Sequence, residues 1–427
     1  MTTFERFERS IPELMTELAP ARVPDYFDDM LQQTASHGQR PAWSYPERWL
    51  PVEITARPLS MRSVPWRPLA VLALIALLVA AGLAAYVGSQ PKLPPGFGPA
   101  ANGVLLYRGV DGSVVSLDPA TGTPATVASA SDQLGEPVPS RDGTRVLFIP
   151  RSSTPSQIIV GDIDGSDRVR LAGEYLDIEA VDWSPDDGHV AFVANHGGHP
   201  AITVAAVDGN GAETLSLERD VAQIRYLPDG RLAIVAAEQP GDPCPSGDPA
   251  VSPCALFVVN PDGTGLDLLI SAADFHGINT LDVSADGSKL LWVEWDTGAE
   301  GRLHVFDLPT HVDHRVPDDA FPTPYSMNRA WFSPDGTAIL FDFFESDGDH
   351  FGIVPSAGGA PVRIGQKWSD GSAPDAGWAP DGKSILARYG TSGTASELWL
   401  LDPTGSGRDK QLQPNVPYLP EWQRVPS

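Results

Sequence analysis

Cysteine is nearly absent from this chain. Two occur in 427 residues, Cys244 and Cys254, against 41 glycines and 42 prolines. Two thiols alone cannot complete a structural zinc site, which takes four ligands, and they rule out a disulfide-dense framework. Lysine is almost as scarce, five beside 24 arginines. With abundant Ala, Gly and Pro, this is the composition of a high-GC bacterium. The net charge of −26 disfavours nucleic acid as a partner, because phosphates repel an acidic surface. No G-x-S-x-G nucleophile elbow is present, and neither a phosphate-binding loop nor a dinucleotide fingerprint is read in the chain. No catalytic residue, cofactor or metal is assigned.

What the chain does contain is one short phrase, repeated. Ser140-Arg141-Asp142-Gly143, Ser184-Pro185-Asp186-Asp187-Gly188, Pro228-Asp229-Gly230, Ser284-Ala285-Asp286-Gly287, Ser333-Pro334-Asp335-Gly336 and Pro380-Asp381-Gly382 each follow an apolar or aromatic stretch. Their glycines are 45, 42, 57, 49 and 46 residues apart. Pro presets the first corner of a turn, Asp bonds its own backbone and Gly accepts positive φ. A second set of turns, at Asp162 to Gly165, Asp208-Gly209, Pro261-Asp262-Gly263 and Asp402 to Gly405, follows about 20 residues later. One repeat therefore reads strand, turn, strand, loop, strand, turn, strand. That is one four-stranded blade, and a period in the forties predicts an all-β propeller.

The ends complete the ring. Residues 104–107, 114–117 and 125–127 read as three strands without an opening strand, and residues 420–424 read as an opening strand without successors. Joined, they leave no open edge. Seven blades fit this arithmetic better than six, the alternative left open by the long spacing and the degenerate first phrase.

The phrase resembles the TolB-like propeller repeats, whose blade signature is W-S-P-D-G before an apolar strand. It stands here as Trp183-Ser184-Pro185-Asp186-Asp187-Gly188, Phe332-Ser333-Pro334-Asp335-Gly336 and Trp378-Ala379-Pro380-Asp381-Gly382. The resemblance covers residues 100 to 425. It implies the fold and no catalytic residue, because the motif is structural. The absent nucleophile elbow also removes the hydrolase partner of the prolyl oligopeptidase family.

Ahead of the repeats lies an uncharged run, residues 69–88, rich in Leu, Ala and Val. Twenty such residues match a bilayer crossing. With 68 residues before it, a cleaved signal peptide fits less well than an uncleaved anchor. Arg48, Arg57, Arg62 and Arg67 precede the run, against Lys92 and Arg108 after it. The positive-inside rule then places residues 1–67 in the cytoplasm, a transmembrane helix at 68–89, a Pro/Gly linker at 90–102 and the propeller, 103–427, outside a bacterial cell membrane. Residues 1–67 hold 8 basic and 9 acidic residues, leaving 21 basic and 46 acidic for the rest. Solubility and Asp-containing turns account for that acidity.

Cys244 and Cys254 share one Pro/Gly-rich insert, which explains the 57-residue spacing. An oxidising compartment favours a disulfide there over two free thiols. In the first segment Phe4, Phe7, Ile11, Leu14 and Leu18 share a helical face, and a second short helix is expected from Pro24. Trp43, Tyr45 and Trp49 then sit in an extended Pro-rich stretch and form a candidate docking motif for a protein or peptide, weighed against a tail with incidental aromatics. The layout resembles that of membrane-anchored anti-sigma regulators, although the His/Cys motif of many of them is absent: residues 1–67 have only His37.

Candidate chemistry in the propeller is thin. His196/His199 and His311/His314 have H-x-x-H spacing, and Asp162/Asp164/Asp167 and Glu345/Asp347/Asp349 resemble pieces of calcium loops. Each set is too small for a site, and ordinary turns explain the carboxylates. If the opening strand of each blade is innermost, the residues just before it rim the channel: Glu136, Asp177, Glu179, Gln223, Asn279, Asn328, Arg329 and Asp375. Funnels of this kind are where propeller ligands sit. Two functions follow as expectations. One is a non-enzymatic, membrane-tethered binding or sensing propeller that relays to a cytoplasmic partner through residues 1–50. The other is an extracytoplasmic hydrolase or lyase using the acidic rim.

Overall fold

The computed structural model describes residues 72–77, 79, 95–150, 155, 157–244, 254–273, 278–295, 301–316, 326–345, 348–368, 375–390 and 396–426. The chain divides into two compact units, Met1–Gln90 and Pro91–Ser427. In the first, residues 72–77 and 79 are helical with exposed side chains. No helix among the described residues is long and apolar enough to cross a membrane. The predicted cytoplasmic segment with Trp43, Tyr45 and Trp49, and most of the predicted span, lie outside the described residues.

The second unit is a seven-bladed propeller, each blade a four-stranded antiparallel sheet. Blade one runs Glu136–Pro139, Arg145–Ile149, Ile159–Asp162 and Val169–Arg170 from the inside outward. Blades two to six open with Val181–Trp183, Val221–Tyr226, Ile278–Val283, Ser326–Phe332 and Asp375–Trp378. The seventh is composite. Glu421–Val425 pairs with Ala101–Arg108, which leads to Val114–Leu117 and Pro124–Ala128. One C-terminal strand thus closes the ring against three N-terminal ones, and the count is seven, not six.

Seven apolar clusters hold the ring, one at each junction between neighbouring blades. Second strands bury both faces, which is why they read as continuous apolar runs: every residue of Leu232–Ala237 is buried. Cys244 and Cys254 lie in the cluster between blades three and four, with their sulfurs bonded.

The four copies of the phrase that begin with serine make the same hydrogen bonds. In blade two, Ser184 Oγ donates to Asp186 Oδ1 at 2.6 Å and accepts the His189 N–H at 2.9 Å. Ser140, Ser284 and Ser333 do likewise in their blades. The Ser184 hydroxyl and the Gly188 N–H hold the Asp186 carboxyl below its ordinary range. Gly143 has φ +69°, and a Cβ there would lie 1.7 Å from the Arg424 carbonyl oxygen. Glycine at this turn lets the closing strand pack against blade one.

Candidate functional site

The inner ends of the blades surround a cavity of about 330 Å³ on the axis. Four of its six charged lining residues, all but Arg141 and Arg424, come from one repeated position, the residue immediately before the aromatic or apolar residue that leads into each phrase. That position is Asp182 before Trp183, Arg225 before Tyr226, Asp282 before Val283 and Glu421 before Trp422. Inner strands alternate, so this position points to the axis while the next residue packs into a blade junction.

Asp182 and Asp282 are held firmly. Asp182 Oδ2 accepts the Tyr226 N–H of the next blade at 2.7 Å, and both its oxygens accept from Arg141 Nη2, at 2.7 and 2.8 Å. Asp282 Oδ2 accepts the Phe332 N–H at 2.8 Å, again across a blade junction. Burial pushes the Asp282 carboxyl up, against the pull of Arg225. Glu421 differs: no side-chain hydrogen bond or ion pair is found for it among the described residues. By surface area its side chain is exposed to the channel space, although protein atoms crowd around it. Burial, then the nearby Glu136, push its carboxyl up to about 7, opposed by Arg225.

The predicted rim residues are placed as follows. Glu136 and Asp375 are the first residues of their strands, and Asp177 and Glu179 precede Val181–Trp183 with exposed side chains. Gln223, Asn279, Asn328 and Arg329 lie inside their strands, not ahead of them, because those strands start two to four residues earlier, at Val221, Ile278 and Ser326. Gln223 Nε2 donates to the Ile278 carbonyl of blade four at 3.4 Å. Arg329 and Asp375 are joined directly, Nη1 to Oδ1 at 2.6 Å. Arg329 also pairs with the buried Asp342, and Asp375 with the fully buried Arg388. The Asn279 side chain lies outside the description.

The histidine pairs are not joint sites. His196 meets Thr203 at 3.1 Å, while His199 meets Asp220 at 3.0 Å. His311 packs edge-on to Phe306. Asp164 accepts from the N–H and hydroxyl of Ser166 in its own turn. Glu345 pairs with Arg363 at 2.6 Å, and Asp347 lies outside the described residues. Among the described residues no group of three or more His, Cys, Asp or Glu is placed to hold a metal ion.

Three features went unread in the sequence. The letters Gly377-Trp378-Ala379-Pro380-Asp381-Gly382-Lys383-Ser384 do match G-x-x-x-x-G-K-S, against the expectation that no phosphate-binding loop occurs. They form the hairpin between Asp375–Trp378 and Ile385–Tyr389; a strand follows, so the helix N-terminus such a loop needs is missing. The second is a repeated cluster in blades four and five. His304 stacks on Trp292 and bridges Glu294 and Asp313, at 3.0 and 2.8 Å; His350 stacks on Phe343 beside Glu345. Arg315 and Arg363 pair with the two glutamates. The third is a groove of about 790 Å³ between blades two and three, lined by Asp186, Asp208, Asp229 and Asp262. Those carboxylates are engaged by their own turns.

No family model matches the chain, and no curated protein matches it. Solved structures do. An oligogalacturonate lyase in complex with manganese is 13% identical over 74% of this chain and 94% of that one, with a TM-score of 0.52. The β-propeller domain of the Trilobed protease from Pyrococcus furiosus is 13% identical over 71% and 88%, with a TM-score of 0.51. TolB from Acinetobacter baumannii is 15% identical over 73% and 78%, with a TM-score of 0.46. At these identities the likeness is one of fold. The class is a seven-bladed propeller with TolB-like repeat phrases, and a propeller is a platform that hosts many activities.

Proposed function

We propose that this chain is a non-enzymatic binding or sensing propeller, tethered to a bacterial cell membrane by residues 68–89, with the propeller outside. Residues 1–50 then engage a cytoplasmic partner through Trp43, Tyr45 and Trp49. One observation carries the binding half: the axial cavity is lined by groups of both signs, with Asp182 and Asp282 locked to neighbouring blades and Arg225 and Glu421 beside them. Rigid, pre-organised polar groups in a concave site favour recognition, because little ordering is left to do on binding.

The test is site-specific photocrosslinking. A photoreactive residue replaces Gln223 near the channel or, as control, Asn210 in an outer turn, and the full chain is irradiated in its own cell envelope. An adduct formed from position 223 and not from 210 supports the reading; identical adducts or none would remove it.

A second reading has one observation in its favour. Glu421, with its carboxyl pushed up to about 7 beside Arg225, has the protonation balance of a general acid or base. That would suit a hydrolase or lyase working from the channel. Turnover of oligogalacturonate, lost on Glu421→Gln, selects this reading over the first.

A further inference from the structure

The cavity has a lid made from its own chain. Residues 95–98, Pro-Gly-Phe-Gly, cross the turn-side mouth, and Phe97 and Gly98 form part of the lining. Arg424, on the closing strand, donates to three carbonyl oxygens of this segment: Pro95 at 2.7 Å, Gly96 at 3.2 Å and Gly98 at 2.7 Å. The Arg141 guanidinium lies 4.1 Å from the Phe97 ring centroid, within cation–π range. The segment is tied on its far side too, where the Ala100 N–H donates to the Pro380 carbonyl at 2.9 Å.

Its glycines are required by the fit. A Cβ on Gly96 would lie 2.6 Å from the Pro185 carbonyl oxygen, and Gly98 has φ +85°. Two arginines, Arg141 and Arg424, sit close enough at this mouth that burial and Arg141 together push the Arg424 group down to about 10. Without the three carbonyls, Arg424 would lose acceptors that its half-buried position does not readily replace.

We propose that residues 95–98 are a built-in stopper that closes the turn-side mouth of the channel. Ligands then reach Asp182, Arg225, Asp282 and Glu421 from the opposite rim, and release of the stopper opens a second way in. Residues 91–94 separate the stopper from residues 1–90 in the chain. The inference goes beyond the proposed function and does not depend on what binds at the rim.

Variants of the full chain test it. Gly377 lines the cavity, and a Cβ there meets nothing closer than Leu419 at 3.8 Å. Gly377→Cys serves as a thiol reporter, labelled with an uncharged maleimide. Labelling should be faster when Phe97→Ala or Gly96→Val is added, because a second mouth then adds to entry from the opposite rim. Circular dichroism confirms that each variant keeps its sheet. Equal labelling with and without the stopper substitutions overturns the proposal. That result does not bear on the rim crosslink, so the two readings fail separately.

Discussion

Asp375 opens the sixth blade with one carboxylate oxygen on Arg329, at 2.6 Å, and the other on Arg388, at 2.7 Å. Arg388 has no exposed surface and also donates to the Gly390 carbonyl and Ser396 Oγ. Burial pushes the Asp375 carboxyl up, but Arg329 and then Arg388 outweigh it and hold the group below its ordinary range. The pair ties blade five to blade six close to the predicted rim. It makes Asp375 and Arg329 an anchored part of the channel wall, so a ligand would meet them already engaged.

Breaking this pair from the acid side should be costly. Asp375→Asn leaves Arg388 a buried cation with its carboxylate gone, a change worth about 3–5 kcal/mol in comparable sites. Arg388→Met replaces the cation with an apolar chain of similar length and should cost less. Urea unfolding of the two variants gives the comparison. A milder loss for Asp375→Asn than for Arg388→Met would contradict this account.

The ring of blades was legible because its cause is local. Ser-x-Asp-Gly turns make their own hydrogen bonds, so the phrase marks a turn wherever it stands, and the spacing of six copies counts the blades. The closing strand was legible as well, because Glu421-Trp422-Gln423 lacks successors and Ala101–Arg108 lacks a predecessor. The axial charges were harder. Asp182, Arg225, Asp282 and Glu421 share a register one residue before the conserved-shape aromatic position, but three of the seven blades carry Val138, Trp331 and Gly377 there. With charge at only four positions the pattern does not announce itself. The stopper was not legible at all: a Pro-Gly-Phe-Gly stretch reads as linker, and its partners Arg141 and Arg424 lie about 45 and 325 residues away in sequence. The same holds for Trp292, Glu294, His304 and Arg315, which three adjacent strands bring together.

The Cys244–Cys254 bond should be present in the isolated protein. Non-reducing peptide mapping is expected to recover the two peptides linked, and full alkylation of both thiols without reductant would refute it. Both sulfurs sit in the apolar cluster between blades three and four. Reduction should lower stability by about 2–3 kcal/mol, typical for closing a short loop, and Cys244→Ser with Cys254→Ser should reproduce the loss.

The proposed topology has a direct assay. Alkaline phosphatase fused after Ser427 is expected to be active, and the same enzyme inserted within residues 1–60 inactive. The reverse pattern would put the propeller in the cytoplasm and end the tethered reading. If the orientation holds, Trp43→Ala with Trp49→Ala should abolish a specific cytoplasmic crosslink, since docking energy concentrates in aromatic anchors worth about 2 kcal/mol or more each.

Glu421 should make the propeller less stable as pH rises through neutrality. Its carboxyl has an ordinary value of 4.5 and is pushed up to about 7 in the fold, by burial first and Glu136 second. Between those values the unfolded chain has released this proton and the folded chain still holds it. Folding is then favoured at the acid end, and that contribution is lost as pH rises through 7. Asp187, whose carboxyl burial raises to about 6, adds in the same direction over a lower window. The Glu421 side chain is partly open to channel water, which screens the effect, so only part of the ~1.4 kcal/mol per pH unit should appear. Glu421→Gln removes the titration while keeping the shape. The wild-type melting temperature is expected to fall between pH 5 and 8 with a steeper slope than that of the variant. At pH 8 the variant should melt higher, by about 2 °C for roughly 1 kcal/mol in a protein of this size. Parallel slopes in calorimetry would mean that Glu421 is ionised in the fold near pH 5. The channel would then be wetter than its lining implies, and the acid–base reading of Glu421 would lose its support with it.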